Sequence, residues 1–575
     1  MVSIDGVTAE IIRSNLASAA EEMRRTLIRT AFNPVIYDVL DFGISLYAYS
    51  EGKTDLIAES SGIPYFLGAN DYAIEKALEY VGVENLEQGD ILIMNYPYWN
   101  AAHAADVTLF APIFDPKSNQ LSAFSCIRAH WIDLGAKDAG YVLDSTDMHQ
   151  EGIIFPGTKI FKRGEPNKDV LELIRFNSRF PDIALGDLNA QVAATRVGED
   201  RVRRVLDKYG LDVVREAINM VLDAGEKASL KALSELPHGS WSAEDYLDDD
   251  GITDEMIKMK ATVTITDKKF TVDFTGSAGA AKGPVNMPFG ATKCMCRIAF
   301  KALTTPHLPS NAGNYRPLEV IAPPGSLFHA LYPSPTYTLW TGIVGLELIC
   351  KAASKGLWDR IPASSGGDVP GFMMVGLHPD TGRPYALSNN EVVGWGASPD
   401  HDGSNGLQHH STPVVRNTPI EVLEIRTGMM IERLEFIMDS GGAGKYRGGL
   451  GVRRDILFTA EGEFLSVIKK SKTKPWGLAG GYDAEPTRMY IYAGTDKERK
   501  VGTYRMKVKA GDRCILKTAG GGGYGNPKER DPRMVLEDVL EGYVSIEAAK
   551  EIYGVAIVNE KIDWEETKRL RLLKS

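Results

Sequence analysis

Apolar residues recur at Ile11, Ile12, Leu16, Ala19, Met23, Leu27 and Ile28, a helical spacing that predicts an amphipathic helix with Thr8 as its N-cap. From about Asp41 to Ala58 the pattern turns to strands. FGISLYAYS and TDLIAES flank Glu51-Gly52-Lys53 and read as a hairpin. Residues 70–81 read as a helix, and ILIMNY after Asp90 as a strand ending at Pro97. Val107–Phe114 and Leu121–Arg128 form a second predicted hairpin, and residues 168–235 are the most helical stretch, closing at Leu236-Pro237-His238-Gly239. From Ile257 the texture is β, beginning with a hairpin in KMKATVTITDKKFTVDFTG. A helical piece at Gly342–Gly356 sits among long polar loops, and residues 430–525 are strand-like and glycine-rich. The tail is helical, with Asp531-Pro532 at N-cap and N1 of one helix and a second starting near Ser545. The expected fold is mixed α/β (α+β) and multidomain, with mixed sheets and hairpins. Its expected parts are an N-terminal α/β domain (1–238), a β-rich domain with glycine loops (239–528) and a C-terminal helical tail (529–575).

Composition narrows the class. The 575 residues exceed what one core usually serves, and 43% hydrophobic with 25% charged residues is ordinary globular material. A net charge of -11 argues against nucleic acid as the main partner. No apolar run approaches the roughly 20 residues of a membrane helix, and the N-terminus lacks the pattern of a signal peptide. Five sparse cysteines make no disulfide framework. Cys294-Met-Cys296 is too tight for zinc and reads as buried thiols in a reducing cytoplasm.

Ten histidines are few, so their positions carry information. His103 and Asp106 form H-x-x-D, and His130 and Asp133 form another in RAHWID. Imidazole and carboxylate together suit zinc, manganese or iron. Each pair alone also suits a strand cap or a buried backbone contact, but two pairs bracketing one predicted hairpin could come to the same end of a sheet. Asp41 opens another strand and is weak evidence by itself. Asp147 and His149 form a loop D-x-H that also suits a surface hydrogen bond, and His409-His410 follow a turn-rich loop that could line a pocket. The glycine runs are poor phosphate loops: DSGGAGKY lacks the first glycine and the final Ser or Thr of a Walker A motif, and GGGGYG runs into Asn-Pro rather than a helix. Tight turns or close backbone packing explain them better.

In consecutive order, DFGISLYAYSEG, GDILIMNYPYWNAAHAADVTLFAPIF, RAHWIDLGA, VDFTGSAGAAKGPVNMP, NAGNYRPLEVIAPPGSL, GWGASPDHDG, DSGGAGKYRGGLG and GGGGYGNP resemble the hydantoinase B/oxoprolinase family over nearly the whole chain. The resemblance implies a subunit of a hetero-oligomer beside a hydantoinase A-like, ATP/Mg-using partner, with small accessory subunits in some members. It also implies a divalent metal, Zn or Mn, held by His103, Asp106 and His130, with Asp41 joining and Asp133 in reserve.

The chain departs from the family's pattern. NYPYWNAAH stands for N-D-P-Y-x-G-G-T-H, so Tyr96 replaces an acid and Asn100-Ala101-Ala102 replace glycines and threonine. Trp131 stands where a second histidine is common, and His149 where tyrosine is common. Tyr96, Tyr98, Trp99 and Trp131 would then wall a pocket for a flat ligand. The expected function is the B-type subunit of an ATP-dependent ketone carboxylase, joining bicarbonate to an aromatic ketone such as acetophenone. The metal would act as Lewis acid, and His149, His409 or His410 would move a proton. The alternatives are a subunit of an ATP-dependent cyclic amide hydrolase (hydantoinase, oxoprolinase or lactamase type) and a non-catalytic scaffold.

Overall fold

Asp5 caps the first helix, Gly6–Thr30, by accepting the Thr8 N–H at 2.7 Å. The cap expected at Thr8 therefore lies one turn earlier, because an aspartate in extended backbone takes the orphan donor first. The computed structural model describes residues 3–338 and 340–572. Seven strands follow in the first sheet: β1 (Phe42–Ser50), β2 (Lys53–Glu59), β3 (Ile91–Met94), β4 (Asp106–Phe114), β5 (Leu121–His130), β6 (Pro156–Lys162) and β7 (Glu165–Pro166). Their order is β2-β1-β5-β4-β3-β6-β7, antiparallel throughout, and both expected hairpins are present.

Side chains alternate between two cores. Ile44, Leu46, Val107, Leu109 and Ile127 face the helices Gly6–Thr30 and Pro181–Tyr209. Leu92, Met94, Phe110 and Phe124 face the helix Asn70–Val81. With both sides covered, β5 is buried at every position, so each polar residue on it must find a partner inside.

A second sheet runs β11-β10-β9-β8, from β8 (Gly239–Leu247), β9 (Ile257–Ile265), β10 (Phe270–Asp273) and β11 (Leu318–Ile321). It shares one core with the helices Phe289–Thr304 and Trp340–Ala353. Cys294 and Cys296 are buried free thiols there, as expected. Two further sheets, of four and five strands, pack face to face around Phe372, Ile456, Phe464 and Leu516. The glycine runs are where backbone meets backbone: a Cβ at Gly521 would sit 1.9 Å from the Trp395 carbonyl oxygen, and one at Gly448 would sit 1.8 Å from that of Gly521. In the tail Asp531 caps Pro532–Leu540 and Ser545 caps Ile546–Glu551. Among the described residues no helix is long and apolar enough to cross a membrane.

Candidate metal centre

Asp106 opens β4, His130 closes β5, and the two are direct cross-strand partners. β1 flanks β5 on its other side. The register Phe42 to Ala129 sets Asp41 beside His130, whose N–H donates to the Asp41 carbonyl at 3.2 Å. His103 sits on the turn entering β4, and its carbonyl accepts the Asp106 N–H at 3.0 Å. Three strand ends therefore deliver four of the residues that spacing and resemblance singled out.

His130 Nδ1 lies 2.9 Å from Asp106 Oδ1, and His103 Nε2 lies 3.3 Å from the same oxygen. The two imidazoles meet edge to face at 5.0 Å. His103, Asp106 and His130 each offer a ligand atom, all within 4.8 Å of one another, and all three side chains are buried. His103 Nδ1 is buried with no hydrogen-bond partner. Two imidazoles, one of them with an unpaired ring nitrogen, and one carboxylate make a donor set that fits zinc or manganese.

Burial, with His130 and Arg128 nearby, holds His103 down at about 4, against the pull of Asp106, so its ring is neutral at neutral pH. Burial works against the charge of Asp106, but His103 and His130 outweigh it and keep the carboxyl below its ordinary value. For His130, burial is outweighed by the hydrogen bond to Asp106 and by the charges of Asp106 and Asp41, which raise it. Burial pushes Asp41 up to about 7, with His130 opposing and Asp106 adding.

A second layer fixes Asp106. Asn100 Nδ2 donates to the Asp106 carbonyl at 2.6 Å, and Asn100 Oδ1 accepts from Thr108 Oγ1 at 2.6 Å. The buried Arg128 donates to Thr108 Oγ1 at 2.9 Å and to the Asn100 carbonyl at 2.5 Å. Tyr141 stacks on His130 at 5.7 Å, and Tyr337 stacks on His103 at 5.0 Å. Burial raises both phenols, so they remain protonated donors, and the Tyr337 hydroxyl donates to the Gly140 carbonyl at 3.0 Å.

The remaining expected residues lie elsewhere. Asp133 is taken by Arg179, whose Nη1 reaches Oδ1 at 2.7 Å and whose backbone N–H reaches Oδ2 at 2.5 Å. Trp131 is fully buried among Leu109, Leu134 and Leu188, and its indole N–H donates to Gln191 Oε1 at 2.6 Å. Tyr96, Tyr98 and Trp99 pack edge to face on one another, with Tyr80 and Tyr332 at the ends. The rings in contact with the imidazoles are Tyr141 and Tyr337 rather than this cluster. His149 is exposed, with Nδ1 2.5 Å from Asp147 and Nε2 3.3 Å from the Tyr332 hydroxyl. His409 and His410 stand together on Glu347, apart from His103. Sequence reasoning missed Asn100, Arg128, Tyr141, Tyr337 and Glu347. Arg128 and Glu347 did leave a signal, each being an ionisable residue whose immediate chain neighbours are apolar.

Several α/β layers carry a buried His-Asp-His set at one hairpin's open end, a group of side chains that could hold a cation. Residues 5–527 match the Hydantoinase B/oxoprolinase family, and the chain belongs to it. An uncharacterized protein of Methanocaldococcus jannaschii is 34% identical over 577 residues, covering 99% of this chain and 100% of its own. The caprolactamase subunit beta of Pseudomonas jessenii is 27% identical, covering 97% of both chains. The crystal structure of the ATP-dependent caprolactamase from the same organism superposes with a TM-score of 0.90 over 100% of both chains at 26% identity. Nucleotide-free acetone carboxylase shares the fold, with a TM-score of 0.89 over 98% of this chain and 82% of that one, at 18% identity.

Proposed function

We propose that this chain is the B-type subunit of an ATP-dependent complex that opens a cyclic amide of the hydantoin, lactam or oxoproline kind. A hydantoinase A-like partner would handle the nucleotide. The observation that carries this reading is the convergence of His103, Asp106 and His130 in a chain whose full-length likeness is to an ATP-dependent lactamase. His103, Asp106 and His130 would hold a divalent metal, which when bound supplies Lewis-acid polarisation of a carbonyl or acidification of water. Neutral His103 presents its ring nitrogen, and ionised Asp106 balances the cation's charge. Asn100 and Arg128 keep Asp106 in place, so little reorganisation accompanies binding. Tyr141 and Tyr337 narrow the space beside the imidazoles and keep neutral phenols there, a setting that suits a small ring with a polar edge better than a broad aromatic face.

The test is the complex reconstituted with its A-type partner and ATP. It would be offered caprolactam, hydantoin or oxoproline in one arm, and acetophenone or acetone with bicarbonate in the other. Ring opening coupled to ATP use, lost in His103→Ala together with the metal held at that site, is expected. Carboxylation of the ketone without ring opening overturns the proposal in favour of a carboxylase subunit.

A further inference from the structure

The helix Trp340–Ala353 is apolar around Glu347, whose side chain is 1% exposed. The segment after Leu407 lays His409 and His410 against it. Their Nε2 atoms lie 3.3 and 3.4 Å from Glu347 Oε1, and their rings are 4.3 Å apart. The three residues offer ligand atoms within 4.8 Å of one another. Glu347 Oε1 also accepts the Ser365 N–H at 3.1 Å. Glu347 Oε2, His409 Nε2 and His410 Nε2 are all buried with no hydrogen-bond partner. Interiors leave few such atoms, and two unpartnered imidazole nitrogens set against one buried carboxylate need a common explanation.

We propose that Glu347, His409 and His410 form a second divalent-cation site, of zinc type, that is independent of the His103 set. Two imidazoles and a glutamate are a donor set that leaves a position open on zinc. Of the three, His410 lies nearest solvent, with 21% of its side chain exposed while its Nε2 is buried. Behind the donors, the Ser411 hydroxyl lies 2.8 Å from His409 Nδ1, placed to accept its proton and leave the Nε2 lone pair toward Glu347. The Ser411 N–H also reaches Nδ1, at 3.2 Å, so two tautomers compete and a cation at Nε2 selects the first. The two sites are separate. Trp340 packs on Tyr141 at 5.9 Å beside His130, whereas Glu347 lies seven residues further along the same helix, a rise of about 10 Å.

The experiment is metal-depleted full-length chain titrated with Zn(II), dialysed and assayed for bound metal. Two equivalents are expected for the wild type. One is expected for His410→Ala and for Glu347→Gln, which keeps the side-chain size and its Ser365 contact. His103→Ala should retain one equivalent, and Zn(II) should raise its thermal midpoint, an effect that adding His410→Ala removes. Unchanged stoichiometry in both Glu347→Gln and His410→Ala overturns the second site. Loss in those variants with none in His103→Ala would support this site while refuting the metal role proposed for His103, so the two failures are distinguishable.

Discussion

Asn100→Ala tests how the first site is held. The change removes two short buried hydrogen bonds, to the Asp106 carbonyl and from Thr108 Oγ1, both at 2.6 Å. Each group left unpaired costs about 1–3 kcal/mol, so the expected loss is about 2–6 kcal/mol. The Arg128 guanidinium bounds it, because that charge keeps Thr108 Oγ1 and the Asn100 backbone carbonyl. Asp106 would also lose the tether that aims it, and loss of such a supporting contact typically weakens metal binding by about 10–100-fold. Urea unfolding of the metal-free chain reads the first quantity, and competition titration with a chelator reads the second. A cycle with Thr108→Val should show a coupling on the order of 1 kcal/mol, since the two side chains touch. A stability loss under about 0.5 kcal/mol with unchanged metal affinity would refute the reasoning.

Trp131→Phe strands the buried Gln191 oxygen, so it should lower the urea midpoint by an amount equivalent to about 1–3 kcal/mol and leave KM alone; a raised KM with an unchanged midpoint would put the indole at the substrate instead. Glu151 is buried against Ser145, Thr336 and Tyr337, and burial outweighs their hydrogen bonds, pushing its carboxyl up to about 7 from 4.5. The folded chain then keeps a proton that the unfolded chain has released, so stability falls as pH rises from 4.5 to about 7, by about 3 kcal/mol. Glu151→Gln should flatten that slope in urea titrations at a series of pH values, and an unaltered slope would exclude Glu151 as its source.

Local periodicity was enough for the helices at 6–30 and 70–81 and for both hairpins of the first sheet, because each closes on neighbours in the chain. It was also enough to bring together much of the candidate donor set. Two H-x-x-D pairs at opposite ends of one antiparallel hairpin must share an edge once the register forms, so Asp106 and His130 meet by geometry that the spacing already implies. Spacing alone left open which of the two acids, Asp106 or Asp133, turns inward. Asp106 lies in the ladder and faces His130, but Asp133 lies three residues beyond it, where Arg179 from another segment captures the carboxylate. Trp131 has the size of a pocket wall, and only packing against the helix Pro181–Tyr209 sends it into the core. Tyr337 reaches His103 from more than 200 residues away, and Glu347 meets His409 and His410 across about 60. Such contacts depend on how sheets and helices stack. Local patterns carry only the neighbours a residue has along its own strand or turn, so these partners became visible only in the tertiary structure.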